Sequence, residues 1–541
     1  MRKARCKAYA GLLAAVVVAA QVHAQPAATG SRFRLADVVL DGGQVRPGVD
    51  WPALVAPLRG REIDFAELET LRAAIERRHH DQGWRLASVR IPAQATDTGV
   101  IRMVLVDPRL GQVRIAGVAP ADSARWRALL PALREGEPPN ITRLDRQLAL
   151  ANESPARRVQ VAFVPGATPD TLDAEVRVEQ AVPSGWVAFL DNTGDDATGK
   201  LRHGLAWRHA DLWGLGHQLN VQVISAPHDP DHPSRFTPWP SRRVQIYGLG
   251  YRVPVVAAGA WLEATLGHSN VDSGTVQDLF TVRGRGSTAS LRGTVLMDRQ
   301  GGWEPRWFLA ADWRHYDSQT LYGGVNLAVP LTLRPLTVGF SVSRPAVPQA
   351  PTAASAWVSF SANLPGGQHG GDAAFAASRA GATPRYQVLR FGGSALREVA
   401  DWRLSATVDG QWSDDLLVSG EQFSAGGAGS VRGFADRGIT GDTGLRLQVE
   451  AVTPNLWPAS GDGAGAAATV RLAAFVDAAS ARRRAPAALE LARTAIASVG
   501  VGLRAQWGPA TLRLDLARPV HQRTGGPRES GAAHVSAAFA F

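Results

Sequence analysis

The sequence predicts two small α+β domains followed by a membrane β-barrel of antiparallel strands. Three observations carry that expectation: an export leader at the N-terminus, a strand, helix, helix, strand, strand pattern that occurs twice between residues 33 and 181, and alternating polar and apolar segments from residue 185 to the last residue. The chain has 541 residues, 45% hydrophobic and 20% charged. That balance supplies enough apolar surface to offset the entropy of ordering a backbone, so wholesale disorder is excluded. Beyond the first twenty residues no run of about eighteen apolar residues occurs, which excludes a helical multi-span protein. A β-barrel stays open, because only every second residue of its strands faces lipid.

The leader comes first. Arg2, Lys3, Arg5 and Lys7 precede the apolar stretch GLLAAVVVAA (Gly11–Ala20), too short to span a bilayer as a helix, and Val22-His23-Ala24 supplies a small-residue cleavage site. Residues 1–24 are expected to be a signal peptide and 25–32 a short linker. The single cysteine, Cys6, lies inside the leader, so the mature chain has no disulfide, thiolate metal site or cysteine nucleophile. Removing the leader's four cations lowers the formal charge from +10 to about +6. The remaining basic residues are scattered and, apart from Lys200, all arginine. Scattered arginine suits solvated surface and pore lining better than nucleic-acid binding.

Residues 33–108 and 109–181 form the two copies. In the first, RFRLADVVL alternates as a strand, Phe65 to His80 places Leu68, Leu71 and Ile75 on one helical face, and RLASVRI and VIRMVLV alternate again. In the second, GQVRIAG opens, helices are expected near 123–133 and 142–151 with Thr142 and Asp145 as capping residues, and RRVQVAFVPG and TLDAEVRVEQ close. Each copy is large enough for a small core but not for the deep pocket of an enzyme.

From 185 to 541 the segments shorten and alternate. Leu445, Leu447 and Val449 oppose Arg446, Gln448 and Glu450; Leu512, Leu514 and Leu516 oppose Arg513 and Asp515. Repeated charge on one face suits a hydrated lumen, not a packed core. Thirteen of the sixteen tryptophans fall here, as expected for interfacial girdles. The chain ends VSAAFAF, with Phe539 and Phe541 on one face as a terminal-strand signature. Sixteen strands fit the length at about 22 residues per strand and connection, and fourteen or eighteen fit nearly as well.

The segment GGAGSVRGFADRGITGDTG (Gly426–Gly444) contains Val431-Arg432-Gly433-Phe434, and AAFVDAAS contains Phe475-Val476-Asp477. With FLDNTGDDATGKLRHG from Phe189 and IPAQ from Ile91, these resemble the two-partner secretion outer-membrane transporters, the TpsB or ShlB/FhaC/HecB family of the BamA-like superfamily, over nearly the whole mature chain. The resemblance implies that the two copies are POTRA domains, the second ShlB-type, and that the VRGF motif tips a long extracellular loop folded back into the barrel. An arginine fork meeting a wall carboxylate fixes both distance and orientation, so Arg432 is expected to anchor the loop on Asp477, with Phe475 completing the wall motif and Phe434 as a packing contact. The family commonly has glycine two residues after the aspartate, where this chain has Ala479.

A transporter of this kind is expected to take an extended exoprotein, a TpsA-type haemolysin or adhesin, by strand addition in the periplasm and pass it to the surface. Arg157, Arg158, Val159, Val161 and Phe163 in the second POTRA domain are the candidate client-binding edge, against the alternative of an edge merely protected by its arginines. The resemblance further implies outer-membrane lipid and lipopolysaccharide as surroundings, the barrel assembly machinery as a partner in biogenesis, and a functional monomer. No cofactor or metal is expected: His228, Asp229, Asp231 and His232 lie in a proline-rich loop, and no nucleotide-binding or catalytic motif is evident. Two alternatives remain, a barrel assembly factor, which usually has three to five POTRA units, and a passive porin, which leaves the N-terminal domains without a purpose.

Overall fold

The computed structural model describes residues 32–541 apart from 44–45, 47, 195–198, 230–231, 237–243, 272–273, 277–279, 283–285, 318–320, 323–324, 327–329, 458–467 and 489. The expected leader, and the linker up to residue 31, lie outside the described residues. So does much of the loop holding His228 to His232.

In the unit ending at Pro108, Asp37–Gly42 pairs in parallel with Val100–Val106, which pairs antiparallel with Ser88–Arg90. Helix Phe65–Asp81 lies over this sheet with Leu68, Leu71 and Ile75 buried, because apolar residues at spacings of three and four share a face. Asp64 and Glu67 form a reciprocal capping box at its start. Arg72 is held at 2.7 Å by Glu69 and 3.0 Å by Glu76 on the wet side.

The second unit opens with the same topology. Arg109–Ala116 and Arg157–Pro165 flank Thr171–Gln180, the first pair parallel and the second antiparallel, so Arg157–Pro165 ends the sheet. Trp126 fills the core beneath helices Ser123–Leu129 and Ile141–Ala151. The cap of the latter helix is Asn140, whose side chain accepts from the Arg143 amide at 3.0 Å, and not Thr142 or Asp145. A cap must precede the first helical residue in extended conformation; Asn140 does so with ψ 105°, whereas Thr142 is already inside the helix.

From Ser184 the chain forms a closed antiparallel barrel of sixteen strands. Leu331–Leu333 and Pro335–Arg344 both pair with Glu304–Tyr316 and are two halves of one strand interrupted at Arg334. The last strand, Ala532–Ala540, closes on the first, Ser184–Asp191, over only five paired residues, Ser536 to Ala540. At the open end of this seam the Asn192 amide still donates to the Val535 carbonyl at 3.2 Å, and its side chain extends the pairing by donating to the Ala533 carbonyl at 2.8 Å and accepting from the Val535 amide at 2.8 Å. Closure pairs backbone groups that would otherwise face lipid, the condition for a strand structure to cross a bilayer.

The alternation sorts faces as expected. Leu445, Leu447, Val449, Leu512 and Leu516 are exposed on the outside, while Glu450, Asp477 and Asp515 point inward. Trp186, Trp402, Trp412 and Trp507 sit at strand ends on the outer face, the position of interfacial girdles. Two tryptophans depart from that pattern. Trp357 turns inward over Gly392, and Trp261 packs under the second α+β domain against Leu150 and Leu296.

The α+β domain of residues 109–181 sits on the barrel rim through paired charges. Asp211 holds Arg125 at 2.9 Å, Glu153 holds Arg306 at 2.9 Å and Arg252 at 3.4 Å, and Asp298 holds Arg146 at 2.9 Å. This rim is the one at which the first strand begins. The segment 413–442 leaves from the opposite rim.

Candidate functional site

Residues 413–442 join strand Trp402–Trp412 to strand Thr443–Val452 and enter the barrel lumen instead of projecting outward. Apolar packing alone fixes neither the depth nor the orientation of such a loop, so directional contacts add to it. Its tip is anchored on the neighbouring wall: Arg432 donates through Nε to Asp477 at 2.7 Å and through a terminal nitrogen to the other carboxylate oxygen at 2.9 Å, a bidentate fork. The Arg432 backbone amide adds a third bond to Asp477 at 3.2 Å. The guanidinium lies 3.3 Å from the centroid of the Phe475 ring, so both residues of the wall motif engage the same side chain. Asp477 is five residues from the end of its strand at Arg482, which puts the tip roughly 17 Å along the tilted strand and about 13 Å into the lumen.

Arg432 and Asp477 are 2% and 0% exposed, a burial that would be costly for an isolated charge. The surroundings compensate. Glu450 accepts from Arg432 at 2.6 Å and from Arg504 at 3.0 Å; Asp515 lies 3.5 Å from Arg432, 2.7 Å from Arg504 and 2.8 Å from Arg513. Three guanidinium groups therefore face three carboxylates, and the network is neutral as a whole. Glu450 and Asp515 were not singled out in the sequence. Strand alternation places both inward, but the level of each along the lumen is set by barrel register, which alternation does not give.

Gly433 has φ +90°, a conformation side chains rarely adopt, and a Cβ there would meet Ala517 at 3.1 Å. Its amide donates to His534 Nε2 on the last strand at 3.1 Å. Val431 and Phe434 are buried with Phe423, Ala425, Ile439 and Ile496. Ala479, two residues after Asp477, joins that cluster, so its methyl packs against the loop. Opposite Phe475 stands Gly500, where a Cβ would lie 2.2 Å from the ring.

Two further carboxylates secure the loop above its tip. Glu421, fully buried, binds Arg314 at 2.5 Å and Arg390 at 2.8 Å on two separate wall strands. Asp442, also fully buried, pairs with Arg379 and accepts the amides of Leu417 at 2.9 Å and Arg484 at 2.7 Å. Arg379 follows the short helix Asp372–Ser378, whose Phe375 is buried with Tyr386, Leu417 and Val418. A second extracellular segment is thus tied to the base of the in-folded loop. Sequence reading missed both anchors, because Glu421 and Asp442 belong to no short motif.

At the edge strand Arg157–Pro165 the five candidates separate. Arg157 is buried, donates to the Ala151 carbonyl at 2.8 Å and lies 3.8 Å from Asp211, so its guanidinium faces the barrel rim rather than the open edge. Asn152 clips the backbone of Val159, accepting its amide at 2.6 Å and donating to its carbonyl at 3.0 Å. Hydrogen bonding along a paired strand alternates in direction, so the groups of Val161 and Phe163 point the same way as those of Val159, off the end of the sheet. Arg158 has its side chain in solvent. Phe539 and Phe541 are exposed on the outer face, and the Phe541 backbone exchanges bonds of 2.9 and 2.7 Å with Trp186 across the seam.

Comparison with known proteins follows the same outline. Residues 349–505 match the haemolysin secretion/activation protein family ShlB/FhaC/HecB, a span that includes Arg432, Glu450 and Asp477, and residues 33–107 match the ShlB-type POTRA domain. The ShlB-type description thus falls on the first of the two repeats. An outer membrane transporter CdiB of Dickeya dadantii is 24% identical over 254 residues, 47% of this chain and 42% of that protein. CdiB-2 of Burkholderia pseudomallei is 26% identical over 140 residues, 26% of this chain and 24% of that protein. The alignments therefore span less than half the length of each relative. CdiB from Escherichia coli superposes with a TM-score of 0.74 at 19% identity, covering 97% of this chain and 93% of that one. CdiB from Acinetobacter baumannii gives 0.70 at 14% identity, covering 94% and 90%. The chain thus carries an ShlB-type POTRA domain and a haemolysin secretion/activation domain, is homologous to CdiB outer-membrane transporters over part of its length, and has the CdiB fold.

Proposed function

We propose that this protein exports one large exoprotein of TpsA type, taking the client as an extended segment at the second POTRA domain and passing it through a lumen that the in-folded loop obstructs at rest. The observation that carries the reading is the neutral buried network around Arg432. The deepest tether of the loop is a set of charge-assisted bonds whose groups can be rehydrated in a wet lumen, and the apolar cluster of Val431, Phe434 and Ile439 beside it is small, which suits a movable obstruction better than a permanent plug. In this reading residues 1–24 are a leader, 33–108 and 109–181 are POTRA domains, and 185–541 form the conducting barrel, acting as a monomer in lipid and lipopolysaccharide after insertion by the barrel assembly machinery. No chemical step is assigned to any residue.

Client binding belongs to the edge at Val161 and Phe163, whose outward backbone groups would continue as a sheet with an incoming strand. Deletion of the gene tests the reading. Secretion of one long exoprotein should stop while bulk outer-membrane proteins remain at their usual level. A general loss of barrels would support an assembly factor instead.

A further inference from the structure

The geometry points to His534 as a positioning residue for the loop tip, holding the VRGF turn to the closing strand through a neutral imidazole. The Gly433 amide donates to His534 Nε2 at 3.1 Å, and a nitrogen can accept only while it carries a lone pair. A proton on Nε2 replaces that lone pair with an N–H aimed at another N–H, so the bond is lost and the two groups repel.

The charges around the imidazole reinforce this. From the loop it faces Arg432; from the wall it faces Asp477, and from the adjoining strand Asp515 and Arg513. Glu450 and Arg504 complete the ring through their pairs with Arg432 and Asp515, and Asp191 lies opposite Ser536 on the first strand. The three guanidinium and three carboxylate groups already balance, so a proton on His534 would leave a net positive charge beside Arg432. His534 also sits where the last strand is least supported. Its pairing with the first strand begins only at Ser536, and Asn192 spans the gap beside Ala533 and Val535. The tip is thereby tied to two walls, through Asp477 on one strand and His534 on the strand that closes the barrel. Acidification should release the second tie while leaving the Arg432 fork in place.

This inference rests on the reading of the loop as the resting obstruction, and the two can fail separately. The full chain would be reconstituted in planar bilayers and its resting conductance followed from about pH 8 to about pH 5, the range over which histidine changes charge. Wild type should open more often as pH falls, by about fivefold, the factor that loss of one hydrogen bond of ordinary net strength gives. His534→Gln, whose amide oxygen accepts at every pH, should stay near the wild-type level of pH 8 and lose the pH response. His534→Ala should be raised throughout. Heat-modified mobility on gels verifies that each variant is a folded barrel. A pH response unchanged in His534→Gln, or none in wild type, overturns the role of His534. Arg432→Ala conducting like wild type overturns the obstruction itself.

Discussion

Arg432 is the residue on which most of the site converges, and the form of its side chain matters as much as its charge. The fork to Asp477, the bond to Glu450 and the stack on Phe475 all use the planar guanidinium. Lysine would keep the charge but offers a compact ammonium on a flexible stem, with no plane to stack and no fork. Arg432→Lys should therefore retain part of the attraction to three carboxylates while losing roughly 2–4 kcal/mol of tip anchoring, the worth of one or two charge-assisted bonds. Bilayer conductance should place it between wild type and Arg432→Ala; a lysine variant indistinguishable from wild type would show that charge alone holds the tip. Arg432 and Asp477 were legible in the sequence because each belongs to a short motif. Glu450, Asp515 and His534 were not, since only the register of the barrel strands brings Glu450 and Asp515 to Arg432 and His534 to the Gly433 amide.

Elements show the same division between what periodicity reveals and what tertiary context decides. Helix Phe65–Asp81 was legible from Leu68, Leu71 and Ile75, and the start of helix Ile141–Ala151 was misread because its cap lies outside the helical pattern. The edge strand Arg157–Pro165 was legible as a strand, but its alternation does not tell that Asn152 covers Val159 or that Arg157 turns to the barrel rim. What remains on the open side is the backbone of Val161 and Phe163. Val161→Pro would remove one outward donor, leaving the inward ladder of Arg158, Gln160 and Ala162 to Thr171–Gln180 unchanged. The variant should fold and reach the membrane yet bind an extended client segment about fivefold more weakly, as loss of one net hydrogen bond implies. Crosslinking or fluorescence anisotropy with a client peptide measures this, and undiminished binding would remove the edge from the recognition site.

At the scale of the molecule, the barrel and the repeated α+β domains were legible because alternation and helical spacing survive in every segment. The attachment of the second POTRA domain to the barrel was not, because it uses residues scattered from Arg125 to Arg306. Two kinds of contact make that attachment, and their magnitudes differ. Glu153 and its partners Arg252 and Arg306 keep about a fifth of their side-chain surface in solvent, so screening holds the pairs to about 1 kcal/mol. Trp261 is 6% exposed and packs on Leu150 and Leu296, with the Arg252 guanidinium 3.9 Å from its ring centroid. Its truncation removes the apolar contact and the platform for that cation, an effect of about 3–5 kcal/mol for a buried aromatic. The tryptophan should therefore govern how firmly the domain is seated, with the charges setting its orientation. Hydrogen exchange in helix Ile141–Ala151 separates the two contributions: Trp261→Ala should accelerate it strongly, Glu153→Gln only slightly, and helix Phe65–Asp81 should be unaffected by either. The reverse order would mean that the paired charges, and not the apolar contact, hold the domain of residues 109–181 against the mouth of the barrel.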